Sequence, residues 1–271
     1  MVDTTLRDGE QAPGFAFSIE DKIRLFLLLE AAGIREVEAG VPAIGGDEKD
    51  AILRLQEIKG NVLVSTWNRV SRDDVLHSFD CRPDVIHIGA PVSGQLISSK
   101  LGKDAAWLRR ELRNVAELAL ERGYRVTVGF EDASRADPDF MLPLARTLVE
   151  AGVDRIRFAD TLGIMTPSAV YDALSRFDLP VGIHAHNDLG MAVANSLAAC
   201  QAGAVSVDAT LFGIGERAGN CNLRAFVETA DSAFDTGIRA KRLSGLEREA
   251  AALIWKNVTE KEKKCERSPP S

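Results

Sequence analysis

One tripeptide recurs along the chain: Ala32-Gly33-Ile34, Ala151-Gly152-Val153 and Ala202-Gly203-Ala204, with Gly123-Tyr124 as a shorter version. Each follows residues with helical spacing of apolar side chains and precedes a short apolar run. Glycine accepts the left-handed backbone that ends many helices, so the mark reads as the turn from helix into strand. Between the marks the pattern alternates. Helices are predicted over 18–32, 47–58, 72–78, 104–122, 138–151, 167–177, 189–202 and 223–234. Strands are predicted over 36–40, 61–66, 84–89, 124–130, 155–159, 181–186 and 205–211, with a stub at 2–4 as the first. In 18–32, Ile19, Ile23, Phe26 and Leu27 share a face. Ser18 stands at the N-cap, and Glu20 and Asp21 favour the positive end of the helix dipole.

Eight strand–helix units in an α/β chain of 271 residues predict a (β/α)8 TIM barrel. An open doubly wound sheet satisfies the alternation too. The count of eight and the placement of polar residues favour the closed form. A further helix is expected over 244–264, with Leu246, Ala250, Leu253 and Ile254 on one stripe. The charged stretch 260–271 is expected to be a disordered tail. The expected organisation is a barrel over 1–238 and an extra helix with its tail over 239–271.

Composition narrows the function classes. Lys+Arg number 33 against 40 Asp+Glu, a net charge of −7, which argues against a basic nucleic-acid-binding face. No apolar run reaches the ~18 residues of a membrane span. The first residues lack the basic-then-apolar order of a secretory signal. Cys81, Cys200, Cys221 and Cys265 are scattered without a C-x-x-C pair, and read as free thiols of a reducing cytoplasm.

A barrel presents its chemistry where strands end and the following loops begin. There the sequence sets Arg7 and Asp8 after the first strand, Glu131 and Asp132 at the fifth, and Asp160 and Thr161 after the sixth. His184 and His186 stand on the seventh, and Glu216, Arg217 and Asn220 follow the eighth. His184-Ala185-His186 is the sharpest pattern, because residues two apart on a strand face the same way. Two of the four histidines stand here. Two imidazoles and a carboxylate suit Zn, Mn, Fe or Co, and added oxygen ligands move the preference toward Mn or Mg. Asp8 is the natural carboxylate, or else a turn cap. Arg7 polarises a carbonyl or grips a carboxylate, or else makes a surface ion pair. Asp132 is read as a cap for the helix after it. The glycine-rich loop 213–220 has the composition to cradle an anion, without the spacing of a dinucleotide site. His87 is read as a barrel-lining residue, His77 as exposed, and Trp67, Trp107 and Trp255 as packing.

Three motifs together carry a resemblance: Asp3-Thr4-Thr5-Leu6-Arg7-Asp8-Gly9-Glu10-Gln11, His184-Ala185-His186-Asn187-Asp188-Leu189-Gly190, and the loop 213–220. They resemble the metal-dependent Claisen-condensation barrels, namely the 2-isopropylmalate, citramalate and homocitrate synthases, in a superfamily that includes the HMG-CoA lyases. The likeness runs from Asp3 to about Phe234. Glu131-Asp132-Ala133-Ser134-Arg135-Ala136-Asp137 is most similar to homocitrate synthases of the nitrogen-fixation type. The resemblance implies a divalent metal (Mn, Mg, Zn or Co) held by Asp8, His184, His186 and Asn220. It implies that Arg7 faces the carbonyl oxygen of a 2-oxo acid, with Glu131, Thr161 and Glu216 holding substrate, water or protons. The implied reaction is acyl transfer from acetyl-CoA to a 2-oxo acid, with 2-oxoglutarate giving homocitrate. Lyases of the superfamily carry a cysteine in the loop that here reads Gly213-Ile214-Gly215-Glu216-Arg217, which favours a synthase.

Three departures from the family pattern stand out. Full-length synthases add a subdomain that supplies a general-base histidine, and here no histidine follows His186. The lysine-pathway homocitrate synthases have an arginine where Thr127 aligns. Relatives tend to have histidine near Ser98-Ser99. The expectation is a barrel subunit, homo-oligomeric or in complex with a second polypeptide that carries the missing base. Two alternatives are a metal-dependent lyase or aldolase acting on a hydroxy acid, and a catalytically silent partner subunit.

Overall fold

The computed structural model describes the backbone of residues 1–265 and the side chains as far as Lys256. Eight parallel strands close into a barrel in chain order: β1 (Val2–Asp3), β2 (Glu36–Gly40), β3 (Leu63–Arg69), β4 (Val85–Pro91), β5 (Arg125–Glu131), β6 (Arg155–Asp160), β7 (Val181–Ala185) and β8 (Ser206–Ala209). Val2 stands opposite Glu36 on one side and Asp208 on the other, so β1 joins β2 to β8. This closure settles the barrel over the open doubly wound sheet.

Around the strands lie α1 (Ile19–Ala32), α2 (Gly46–Ile58), α3 (Arg72–Cys81), α4 (Gly94–Leu101), α5 (Ala105–Leu120), α6 (Pro138–Glu150), α7 (Pro167–Leu174), α8 (Ala192–Gln201), α9 (Leu223–Ala230) and α10 (Ala240–Cys265). The start of α1 follows the expected chemistry. The Ser18 hydroxyl accepts from the Asp21 N–H, and the Asp21 carboxylate accepts from the Ser18 N–H. Gly33 closes the helix at φ 100°, and Gly152 and Gly203 repeat the turn at 111° and 97°. Helix α4 was not expected. Its eight residues make barely two turns, too few for an apolar stripe to repeat, and the helix is marked by its ends. The Ser93 hydroxyl accepts from the Leu96 N–H, and Gly102 turns left-handed behind it. The extra helix is present as α10, against α1 and α9. The tail expected over 260–271 lies outside the described side chains and, from 266, outside the described backbone.

Strand alternation sorts the barrel into two environments. Val37, Val64, Ile86, Val128, Phe158 and Ile183 are fully buried among the apolar residues packed under the helices. The alternate positions point into the barrel, and many of them are polar: Glu36, Glu38, Arg155, Arg157 and Asp208. Barrel interiors are usually filled by bulky branched side chains. Here ion pairs fill the space. Arg155 Nη2 lies 2.7 Å from Glu36 Oε2, Arg157 Nη1 lies 2.7 Å from Glu38 Oε2, and Arg157 Nε lies 2.6 Å from Asp208 Oδ2. Buried charges of this kind persist only when paired and hydrogen-bonded.

Outside the barrel, Trp255 on α10 meets Phe15 and Phe212 edge-on, at centroid distances of 6.2 and 4.7 Å. Cys81, Cys200 and Cys221 are free thiols. Among the described residues, no helix is long and apolar enough to cross a membrane.

Candidate metal centre and active site

The end of β7 presents His184, and His186 follows just beyond it. The two Nε2 atoms face each other at 3.3 Å. Asp8 reaches them from across the seam. After β1 the Thr4 carbonyl accepts from the N–H groups of Arg7, Asp8 and Gly9, a tight turn that carries Asp8 over the mouth. Its Oδ2 lies 3.1 Å from His184 Nε2. Ligand atoms of Asp8, His184 and His186 all lie within 4.8 Å of one another.

The ring of His184 is held from behind. Its Nδ1 lies 3.1 Å from Asp208 Oδ2, the oxygen that also pairs with Arg157. A carboxylate behind one ring nitrogen fixes the tautomer and leaves the other nitrogen to act as a ligand. Burial alone would drive the His184 pKa down. Hydrogen bonds to Asp208 and Asp8 outweigh it and raise the value to about 9. Burial and the charge on His184 push His186 down to about 4. Burial opposes ionisation of Asp8, but Arg7 and then His184 hold its carboxyl well below the usual range.

Asn220 completes the rim. Its Nδ2 donates to Asp8 Oδ1 at 3.2 Å and to the Ile214 carbonyl at 3.0 Å, while its buried Oδ1 has no partner. The glycine-rich loop serves this amide. A Cβ at Gly215 would strike Asn220 Nδ2, and Gly213 accepts from the Asn220 N–H. The loop thus wraps a side chain where an anion cradle was expected. The donor set fits a divalent cation: two imidazole nitrogens turned toward each other, a carboxylate oxygen beside them, and an unpartnered amide oxygen nearby.

Arg7 is no surface pair. Its guanidinium is one-tenth exposed, with Nε 2.5 Å from Glu38 Oε1 and Nη1 3.2 Å from Asp8 Oδ2. It lies over the ring of Trp67, 5.6 Å from the centroid. Arg7, Asp8, Glu131, Thr161, His184, His186 and Glu216 all line one cavity at the barrel mouth. Glu131 Oε2 is 2.6 Å from Lys100 Nζ on α4. The Thr161 hydroxyl accepts from the Asp132 N–H, and the Thr161 carbonyl accepts from Arg217 Nη2. Glu216 is half-exposed, with Oε1 3.8 Å from His186 Nε2 and 2.9 Å from Arg217 Nη1.

Two readings of single residues change. Asp132 does not cap a helix. It sits left-handed at φ 57°, its carboxylate gripped by Arg135 and the Ser93 hydroxyl, and Asp137 caps α6 instead. Trp67 is part of the cavity wall as well as packing. His87 lines the barrel as expected, its Nδ1 2.8 Å from Thr127 Oγ1. Glu38, Lys100, Arg157 and Asp208 were not singled out from the sequence. The signal for three of them was present, because the two-residue period that paired His184 with His186 also turns 38, 157 and 208 inward.

The family model described as HMGL-like matches residues 1–248. The homocitrate synthase subunit alpha of Clostridium pasteurianum is 43% identical over 232 residues, covering 84% of this chain and 86% of that one. The homocitrate synthase of Frankia alni is 45% identical over 224 residues, covering 81% of this chain and 64% of its own length, so this chain spans under two thirds of that relative. Among solved structures, the HMG-CoA lyase of Bacillus subtilis superposes with a TM-score of 0.81 over 92% of this chain and 91% of that one. At 18% identity that likeness concerns the fold alone.

Proposed function

The chain belongs to the HMGL-like family, and from that premise we propose that it is the barrel subunit of a homocitrate synthase, an acyltransferase that joins acetyl-CoA to 2-oxoglutarate. The observation that carries this reading is the convergence of Asp8, His184 and His186 within 4.8 Å, beside the buried Arg7. Identity of 43% and 45% to homocitrate synthase chains favours it over a lyase or a silent subunit.

Asp8, His184, His186 and the Asn220 amide oxygen would hold a divalent cation, one of Mn, Mg, Zn or Co. When bound, such an ion is a Lewis acid toward the carbonyl and carboxylate oxygens of a 2-oxo acid. Asp208 sets the tautomer of His184, and Glu38 fixes the guanidinium of Arg7. As the new bond forms, a base takes a proton from the acetyl methyl group, and that C–H electron pair becomes the C–C bond to the ketone carbon. The ketone π pair moves onto oxygen, where Arg7 stabilises the growing charge before the oxygen takes up a proton. Thr161 holds substrate, and Glu131 and Glu216 hold the water and protons needed to hydrolyse the thioester and release CoA.

A second polypeptide supplies the base for the methyl group in this proposal. Its support is the match to a chain called subunit alpha along most of that chain's length. Residues 1–238 are the catalytic barrel and 239–271 its appendage. The free cysteines fit a cytoplasmic setting. The test mixes the purified chain with acetyl-CoA, 2-oxoglutarate and Mn2+, with and without a candidate second subunit, and follows free CoA. Release that needs 2-oxoglutarate and metal supports the reading. No release with any 2-oxo acid or partner removes it.

A further inference from the structure

The floor of the cavity holds a charge that the reaction above does not use. Arg157 is buried at 4% exposure and lines the cavity from β6. A guanidinium has five N–H donors. Nη1 goes to Glu38 and Nε to Asp208, while Nη2 is buried with no partner. Neither carboxylate belongs to Arg157 alone. Glu38 also pairs with Arg7, and Asp208 also holds His184. Both carboxylates are therefore shared, and Arg157 keeps a buried donor at the cavity that neither of them takes up.

The cavity has been cleared above this point. Gly89 and Gly129 stand opposite each other on β4 and β5. A Cβ at Gly129 would lie 2.5 Å from His87 Nε2, and one at Gly89 would lie 2.7 Å from the Trp67 ring. Larger residues at these positions would fill the space in front of His87. Thr127, the neighbouring inward residue on β5, is spent on His87 and brings no charge.

We propose that Arg157 is a specificity-determining residue that seats the second carboxylate of a dicarboxylic 2-oxo acid. The inference rests on the synthase reading and adds the choice of substrate to it. The reacting end of the acid lies at Asp8, His184 and Arg7, and its far carboxylate takes the open N–H groups of Arg157. A monocarboxylic 2-oxo acid leaves that donor buried and unpaired, which is a penalty as well as a lost bond.

Isothermal titration of the Mn2+-loaded chain with 2-oxoglutarate and with 2-oxobutyrate tests this, because the two acids share the reacting end. The expected result is a preference of about 30-fold for the diacid, from one charge-assisted contact. Arg157→Gln, titrated at saturating Mn2+ so that any loss of metal affinity through Asp208 and His184 is read apart, is expected to bring the diacid down to the level of 2-oxobutyrate while 2-oxobutyrate weakens far less. Equal weakening of both acids in the variant overturns the proposal, since Arg157 would then only brace Glu38 and Asp208. An unchanged preference overturns it too. A wild-type chain that binds both acids alike sinks the subsite alone, whereas one that binds neither takes the synthase reading with it. Should Arg157→Gln fail to fold, a crystal structure of the wild-type chain with Mn2+ and 2-oxoglutarate decides. Arg157 within about 3 Å of the far carboxylate supports the assignment, and a carboxylate seated elsewhere ends it.

Discussion

The mouth of the barrel and the layer beneath it are built from the same kinds of side chain and solve opposite problems. In the lower layer each charge has found its opposite: Arg155 with Glu36, and Arg157 with Glu38 and Asp208. At the mouth, two imidazole nitrogens face each other at 3.3 Å and the Asn220 Oδ1 is left without a partner. On the function proposed above, the ion-paired lower layer is a support and the upper one a receptor, although Glu36 Oε1, Arg157 Nη2 and Asp208 Oδ1 below also keep no hydrogen bond. The two are wired in series. Arg7, Glu38, Arg157, Asp208, His184 and Asp8 form a closed ring of contacts, each between 2.5 and 3.2 Å. The orientation of the upper groups is therefore set from below.

Substitutions that hit one layer and spare the other are the way to break this contrast. The largest effect is expected at the mouth. Asp8→Asn keeps the shape and removes the anionic donor; Mn2+ binding by titration should weaken by at least ~100-fold and CoA release should vanish, with a smaller loss of stability than Glu38→Gln shows because Arg7 keeps its pair with Glu38. A large loss of stability in this variant would erase the distinction between receptor and support. Next comes Glu38→Gln in the lower layer, which leaves two guanidiniums without their shared anion. Denaturant unfolding should show a loss of about 3–5 kcal/mol. Asp208→Asn touches both layers. Metal affinity should drop ~10–100-fold as His184 loses the carboxylate behind it.

Asp3 sharpens the comparison through pH. Burial pushes its carboxyl up to about 7 against the hydrogen bonds from Thr5, and Asp208 adds to the rise. Because the folded value lies above the ordinary 3.8, its stabilising share is full below that pH and is lost as pH rises through about 7. Unfolding free energy measured from pH 4 to pH 8 should therefore fall less steeply in Asp3→Asn than in the wild type. The smallest effect belongs to the outer surface. Arg125 pairs with Asp154 at 2.7 Å with half its side chain in solvent, and Arg125→Ala should change stability by no more than about 0.5 kcal/mol.

The barrel was legible because its signals are local. The Ala-Gly turns and the Ser18 cap are read within four residues, and they survive into the structure. The convergence of Asp8, His184 and His186 was legible for a related reason: the two histidines are two apart in sequence at the end of one strand, and Asp8 follows the first strand on the same rim. Glu38 and Arg157 are 119 residues apart and meet only because β2 and β6 face each other across the closed barrel. No short motif reports such a contact. Helix α4 escaped because it is only eight residues long, so its caps, Ser93 and Gly102, mark it better than any repeat of apolar residues can. Asp132 misled because an acidic residue before a helix usually caps it, whereas a left-handed backbone and the pull of Arg135 and Ser93 turn this one inward.

The indole of Trp255 lies outside the barrel, yet it touches two aromatic residues with particular neighbours. Phe15 belongs to the segment leaving Asp8, and Phe212 to the segment entering the Asn220 loop. The chain on either side of the mouth thus packs on a single ring of α10. Through that one ring, α10 braces the two segments that lead to opposite sides of the barrel mouth.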